Sequence, residues 1–259
     1  MKRGIPIALQ AAGAVLACLV TTVNCSPMRS LSKGHAIQSY YNEDGDLIHR
    51  DTLADSSRTF VIRTAQKKGH MYADYFRRYK DTKIEDSTIA NIESITKKTA
   101  MRVEHRIKRG NIESRLVRKN IIPIEAPELL LELWKFIPDT GNDNDPEKDF
   151  REYGGSIEKN GRLTPLRKDS IMDACKGNAG INIDVDSTIY KSYYHTHPSG
   201  EKQHGKCGFT QAPSYGDQMA ADARTSYVLG MKSHRVYVMN KDGVLATIPF
   251  CFFLLTINK

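Results

Sequence analysis

The chain has 259 residues, 40% hydrophobic and 26% charged, enough for one large or two small globular domains and without internal repeats or low-complexity tracts. Its net charge of +8 favours acidic partner surfaces (nucleic acid, anionic lipid or cell-wall polymer) without selecting among them. The lack of a Cys-x-x-Cys pair removes zinc-ribbon and thioredoxin readings, and beyond the N-terminus no apolar stretch reaches membrane-spanning length.

In chain order, Lys2 and Arg3 precede an apolar run from Ile5 to Val23 and a polar exit at Asn24-Cys25-Ser26. Residues 1–25 therefore read as a secretion signal, and the product as exported: periplasmic, outer-membrane-anchored or secreted. An uncleaved anchor is the alternative. Lipidation of Cys25 is another, although Val23-Asn24 fits poorly before a lipidated cysteine. Contact with a membrane is expected only through such a signal or lipid. Residues 26–57 are polar and weakly patterned, which predicts a flexible lead-in.

Residues 58–137 are predicted to form a basic, mainly helical segment. Between Arg58 and Lys119 stand 17 Lys/Arg against 7 Asp/Glu. Ile89, Ile92, Met101, Val103 and Ile107 recur at near-helical spacing, predicting an amphipathic helix over 86–108 that Gly110 ends. Its basic face is either simply solvated or a site for an anionic polymer or surface. Nucleic acid is disfavoured, because no aromatic residues interleave for stacking. After Pro123 and Pro127, residues 128–137 form an apolar helix with Trp134 in the core. Residues 138–148, rich in Pro, Gly, Asn and Asp, read as a linker.

Residues 149–259 alternate between strand and helix patterns. Strands are predicted at 153–158 and 188–194, with Asn160-Gly161 turning the chain into a return strand at 163–166. Residues 181–185 read as loop, with a short strand as the alternative. A helix is predicted over 214–229, capped by Ser214 and followed by Gly230. A hairpin pairs 235–239 with 244–248. The fold class is α/β (α+β), a central mixed sheet flanked by helices. In an oxidising compartment Cys175 and Cys207 are the best candidates for a disulfide, and Cys251 reads as a buried free thiol.

Three motifs carry chemistry. His195-Thr196-His197-Pro198 ends a strand, where two histidines one residue apart reach one metal if the chain turns. Ser214-Tyr215-Gly216-Asp217 reads as a helix-opening capping box, and it also places a carboxylate one turn in as a third ligand. Glu152, before Tyr153-Gly154-Gly155, offers a carboxylate that is not a ligand, as a general base. The glycines permit close approach of a substrate or a neighbouring backbone. A thiol hydrolase using Cys207 with His204 lacks an orienting partner. A zinc deaminase lacks its His-x-Glu and later Cys-x-x-Cys. His70, His105 and His234 sit in polar sequence and are read as exposed.

Jointly, Glu152, Gly155 and Ile157, then His195, His197 and Pro198, then Ser214 and Asp217, resemble the JAMM (MPN-plus, JAB) zinc metallopeptidase family. The likeness covers roughly residues 145–250. It extends to a bacterial JAMM-like branch found in polymorphic toxins, through 152–157, Asn160-Gly161 and 194–197. The resemblance implies a JAMM/cytidine-deaminase-like fold and Zn2+ held by His195, His197 and Asp217. It further implies Glu152 as general base, Ser214 as oxyanion donor, and a peptide or protein substrate cleaved at an amide or isopeptide bond. A non-catalytic JAMM-like binding or scaffold domain is the competing expectation. The chain departs from the family in the 16 residues between His197 and Ser214, about double the usual length. That insert is either a lid or specificity loop, or a sign that Ser214 and Asp217 align differently.

Overall fold

A computed structural model describes residues 36–52, 56–65, 90–142, 144–175, 181–183, 186–202, 207–222 and 224–249. The proposed signal, Cys25, His70, His204 and Cys251 lie outside the described residues. No helix among the described residues is long and apolar enough to cross a membrane.

The chain builds an α+β structure with two principal sheets. The first contains β1 (Gln38–Tyr41), β2 (Leu47–Asp51), β3 (Arg58–Ile62) and β4 (Ile121–Ile124), in the order β2-β1-β3-β4. The expected lead-in is thus corrected: part of it is a hairpin whose Tyr40 and Tyr41 are buried. The cause is pairing distant in sequence, since β1 lies parallel to β3 and β3 antiparallel to β4. The same pairing adds strands to the mainly helical segment expected over 58–137, where the described helices accompany a sheet.

Helix α1 (Lys97–Lys108) is capped by Thr96, whose hydroxyl accepts from the Thr99 N–H, and buries Val103 and Ile107. Gly110 ends it in a left-handed conformation (φ +72°), its N–H donating to the Ile107 carbonyl. The predicted helix starts too early. Residues 90–96 are not helical, and the N–H groups of Ala90, Asn91 and Glu93 donate to Pro213, the Gln218 side chain and Val244. Residues 86–89 lie outside the described residues. Helix α2 (Arg115–Asn120), capped by Ser114, completes the cluster that joins Val103, Ile107 and Val117 to Tyr40 and Ile62.

Helix α3 (Pro127–Phe136) opens with proline at its first position and buries Leu130, Leu131 and Leu133. Trp134 is partly buried against the same core. The predicted linker is not merely a spacer. Asp139 within it is buried and accepts from the N–H and hydroxyl of Ser199, and the short α4 (Pro146–Asp149) follows.

The second sheet has the order β12-β11-β10-β7-β5-β6, from β5 (Tyr153–Glu158), β6 (Arg167–Lys168), β7 (Tyr190–His197), β10 (Ser226–Gly230), β11 (Arg235–Asn240) and β12 (Gly243–Pro249). It is mixed: β10 runs parallel to β7, and the remaining pairs are antiparallel. The Asn160-Gly161 turn and the 235–249 hairpin form where expected. Of residues 163–166 only Leu163 bridges β5, and residues 181–183 join no strand. A two-stranded hairpin, β8 (Glu201–Lys202) and β9 (Cys207–Gly208), occupies the insert.

The long predicted helix is the largest error. Helix α5 (Tyr215–Ala220) stops after six residues, and residues 226–230 are the central strand β10. Asp222 accepts from the N–H and guanidinium of Arg224, turning the chain, and the 226–230 segment is buried on both faces. A doubly buried strand shows the same uninterrupted apolar run as a buried helix. One face of the sheet packs Ile157, Tyr194, Tyr227 and Leu229 on the leucines of α3. The opposite face packs Tyr193, Val228, Tyr237 and Met239 against Ala212, Ala221 and Ala90. Residues 91–93 cover the β12 edge through the Ile92–Val244 bridge. Gly243 (φ +127°) leaves room there, because a Cβ would collide with the Asn91 carbonyl.

Candidate metal centre

Strand alternation in β7 sends Tyr193, His195 and His197 to one face and Tyr194 and Thr196 to the other. Gly154 pairs with His195 and Ser156 with Tyr193, so continuing the register by one pair sets Glu152 beside His197 on the same face. A Cβ on Gly154 would lie 2.8 Å from the Tyr194 carbonyl oxygen and 3.2 Å from the His195 Cβ. The sequence reading of the glycines is met here by a close neighbouring backbone.

Asp217 arrives from α5. Ser214 and Asp217 form a reciprocal capping box: the Asp217 N–H donates to Ser214 Oγ (3.1 Å), and the Ser214 N–H donates to Asp217 Oδ2 (2.6 Å). The Ser214 hydroxyl also donates to Oδ2, at 2.8 Å. The adjacent Gln218 fixes the helix, accepting from the Asn91 N–H and donating to the Lys241 carbonyl. Asp217 Oδ1 then lies 3.0 Å from His195 Nε2, and Oδ2 lies 3.2 Å from His197 Nε2. The three ligand atoms fall within 4.8 Å of one another.

These residues form a group able to hold a metal ion. Donors placed tetrahedrally about a zinc-sized ion lie about 3.4 Å apart, close to the separations seen. His195 Nε2 is buried without a hydrogen-bond partner of good geometry, although Asp217 is near; coordination would satisfy such an atom. His197 Nδ1 donates to the Thr210 carbonyl at 2.6 Å, which leaves Nε2 as the ligating nitrogen.

The electrostatics are those of a compressed cluster. Burial pulls the His197 imidazole down, but Asp217, with Glu152 and the Thr210 carbonyl, pushes it up to about 9. Burial raises Asp217, yet the two imidazoles overcome it and hold the carboxyl far below the usual carboxylate range. Glu152 is buried, and its carboxyl is raised first by that burial. His197 and His195 oppose the rise, and Asp217 and Asp169 add to it.

The structure thus gathers His195, His197, Asp217 and Ser214 in contact, with Glu152 on the same face. The reading of motifs missed three supports. Thr196 accepts from the Tyr153 N–H (2.9 Å) and pins the start of β5. Thr210 acts through its backbone carbonyl, which leaves no mark in the sequence. The Gln211 side-chain amide donates to the Pro198 and Phe209 carbonyls and accepts from the Lys232 and Ser233 N–H groups. His105 and His234 are exposed, as expected.

The insert is fastened down. Cys175 and Cys207 are joined in a disulfide, as expected, and Phe150, Met172, Ala174 and Phe209 cluster around it. Away from the centre, α1 presents Lys97, Lys98, Arg102, His105 and Lys108 to solvent around an exposed Met101, with Arg109 exposed just past its end. Comparison with protein families, curated proteins and solved structures found no match to the chain.

Proposed function

We propose that the chain is an exported zinc-dependent peptidase or isopeptidase that hydrolyses an amide bond. The observation carrying this reading is the convergence of His195, His197 and Asp217 on one sheet face, with the buried carboxyl of Glu152 on that face. His195, His197 and Asp217 would hold Zn2+, which when bound polarises the scissile carbonyl and acidifies the attacking water. Glu152 takes the proton from that water as its oxygen bonds to the carbonyl carbon. As the carbon–nitrogen bond breaks, Glu152 passes the proton to the leaving amine, so the products are a carboxylate and an amine. Its raised pKa suits both halves of this transfer.

Ser214 is assigned as oxyanion donor. Its one proton is directed to Asp217, so in this scheme the hydroxyl turns from Asp217 toward the substrate during the reaction. The Cys175–Cys207 bridge supports an oxidising, exported setting.

Metal analysis of the purified protein beside the His195→Ala/His197→Ala variant tests the centre. About one zinc per chain in the parent and none in the variant is expected. Glu152→Gln is then expected to retain zinc and lose turnover of peptide and isopeptide substrates; undiminished turnover would overturn the assignment. The competing reading, a binding or scaffold domain, draws on the engagement of both Asp217 oxygens within the protein itself. Partner capture that survives alanine at all three ligands would favour it.

We propose further that the basic face of α1 within the Arg58 to Lys119 segment holds the protein on an anionic polymer or surface. Binding that weakens steeply with added salt is expected, and salt-independent binding would dismiss it.

A further inference from the structure

The insert between His197 and α5 reaches the centre through the Thr210 carbonyl, which accepts from His197 Nδ1 at 2.6 Å. That carbonyl is three residues from Cys207. Between them lies Phe209, buried, its ring 6.1 Å from that of Phe150 in an edge-on arrangement. Across the disulfide, Met172 and Ala174, just before Cys175, join the same cluster. Among the described residues, four buried side chains make up this satellite core, with Cys207 packed beside them. It is separate from the cores of the two sheets, and on that side the covalent bridge adds to the β8–β9 pairing and the Lys202–Asp173 ion pair. On the other side, Gln211 ties the loop to Pro198 and to the turn before β11.

We infer that the Cys175–Cys207 disulfide is a redox-sensitive brace for His197, so that reducing the bridge weakens metal binding at the centre. The inference rests on the reading of His197 as a metal ligand. With the bridge intact, Thr210 is held against Nδ1, which fixes the tautomer and aims Nε2 at Asp217. Cys175 is exposed and open to a thiol reductant. A dithiol supplies two electrons and two protons, leaves as its own disulfide, and converts the bridge to two thiols. The Phe209–Thr210 segment then keeps only the non-covalent ties of the Phe209 ring, the β8–β9 pairing and Gln211, and the Thr210 carbonyl is held less firmly against the ring. Loss of such a partner to a ligating histidine typically weakens metal affinity roughly 10- to 100-fold. The protein would assemble its metal centre fully only where disulfides persist.

The test is zinc affinity of the full chain, by competition with a chelator, for the parent and for Cys175→Ser/Cys207→Ser, which avoids new thiol ligands. The expected result is a dissociation constant larger by about 10- to 100-fold in the variant. Nitrogen-detected histidine NMR is expected to show loss of the ordered Nδ1–H of His197 with no change at His105. Phe209→Ala, which loosens the same brace without touching sulfur, is expected to act alike, and the combined variant to be no worse than either alone. Should the serine variant not fold, the parent reduced by a phosphine takes its place, with the His197 Nδ1–H signal as the readout. Equal zinc affinity and an unchanged Nδ1–H signal in the unbridged protein would overturn the brace. A parent that binds no zinc would instead overturn the proposed centre.

Discussion

Thr196→Val isolates one hydrogen bond beside Glu152, the proposed general base. Thr196 lies between the two histidines but points to the opposite face of β7, is fully buried, and accepts from the Tyr153 N–H at 2.9 Å. Tyr153 is the first residue of β5 and follows Glu152 directly. Valine matches threonine in shape, so no cavity opens, but the buried Tyr153 N–H loses its acceptor. An orphaned buried donor costs about 1–3 kcal/mol. In a protein of this size that corresponds to a melting temperature lower by roughly 2–10 °C. The strand start loosens, so turnover should fall, while zinc affinity should change little because neither histidine moves face. Urea melts give the stability, chelator competition the affinity, and peptide hydrolysis the rate. Unchanged stability with unchanged turnover would refute the argument that this bond places Glu152.

Three further outcomes follow from the same geometry. His197 is held protonated up to about 9 in the metal-free protein, so zinc must displace that proton. Zinc affinity should therefore rise as pH increases from 6.5 toward about 9, and an affinity flat across that window would contradict the coupling. Gly154→Ala drives a methyl group against the Tyr194 carbonyl and the His195 Cβ, so it should cost about 1–3 kcal/mol and weaken zinc binding; a denaturant midpoint and metal affinity equal to the parent's would count against the close approach. Leu133→Ala removes a side chain 1% exposed in the core under the second sheet, for an expected loss of about 2–5 kcal/mol in urea unfolding with His195, His197 and Asp217 left in place.

Much of the candidate centre was legible because its parts are local. His195 and His197 share a face by strand alternation, and Ser214 with Asp217 is a capping box whose spacing is set by a single helical turn. The β5 strand, the Asn160-Gly161 turn and the last hairpin were legible for the same reason: their pattern and turn residues lie within a few positions of one another. The sequence by itself therefore determined which side chains make up the candidate centre and the local element under most of them. Tertiary structure alone decided what non-local pairing controls. It made residues 38–51 a hairpin, laid 91–93 along the β12 edge, and turned 226–230 into a doubly buried strand where an apolar run suits helix and strand equally. It also brought the Thr210 carbonyl to His197 and Gln218 to Asn91. A backbone carbonyl has the same identity at every residue, so its role arises only when the folded chain sets it against a particular side chain.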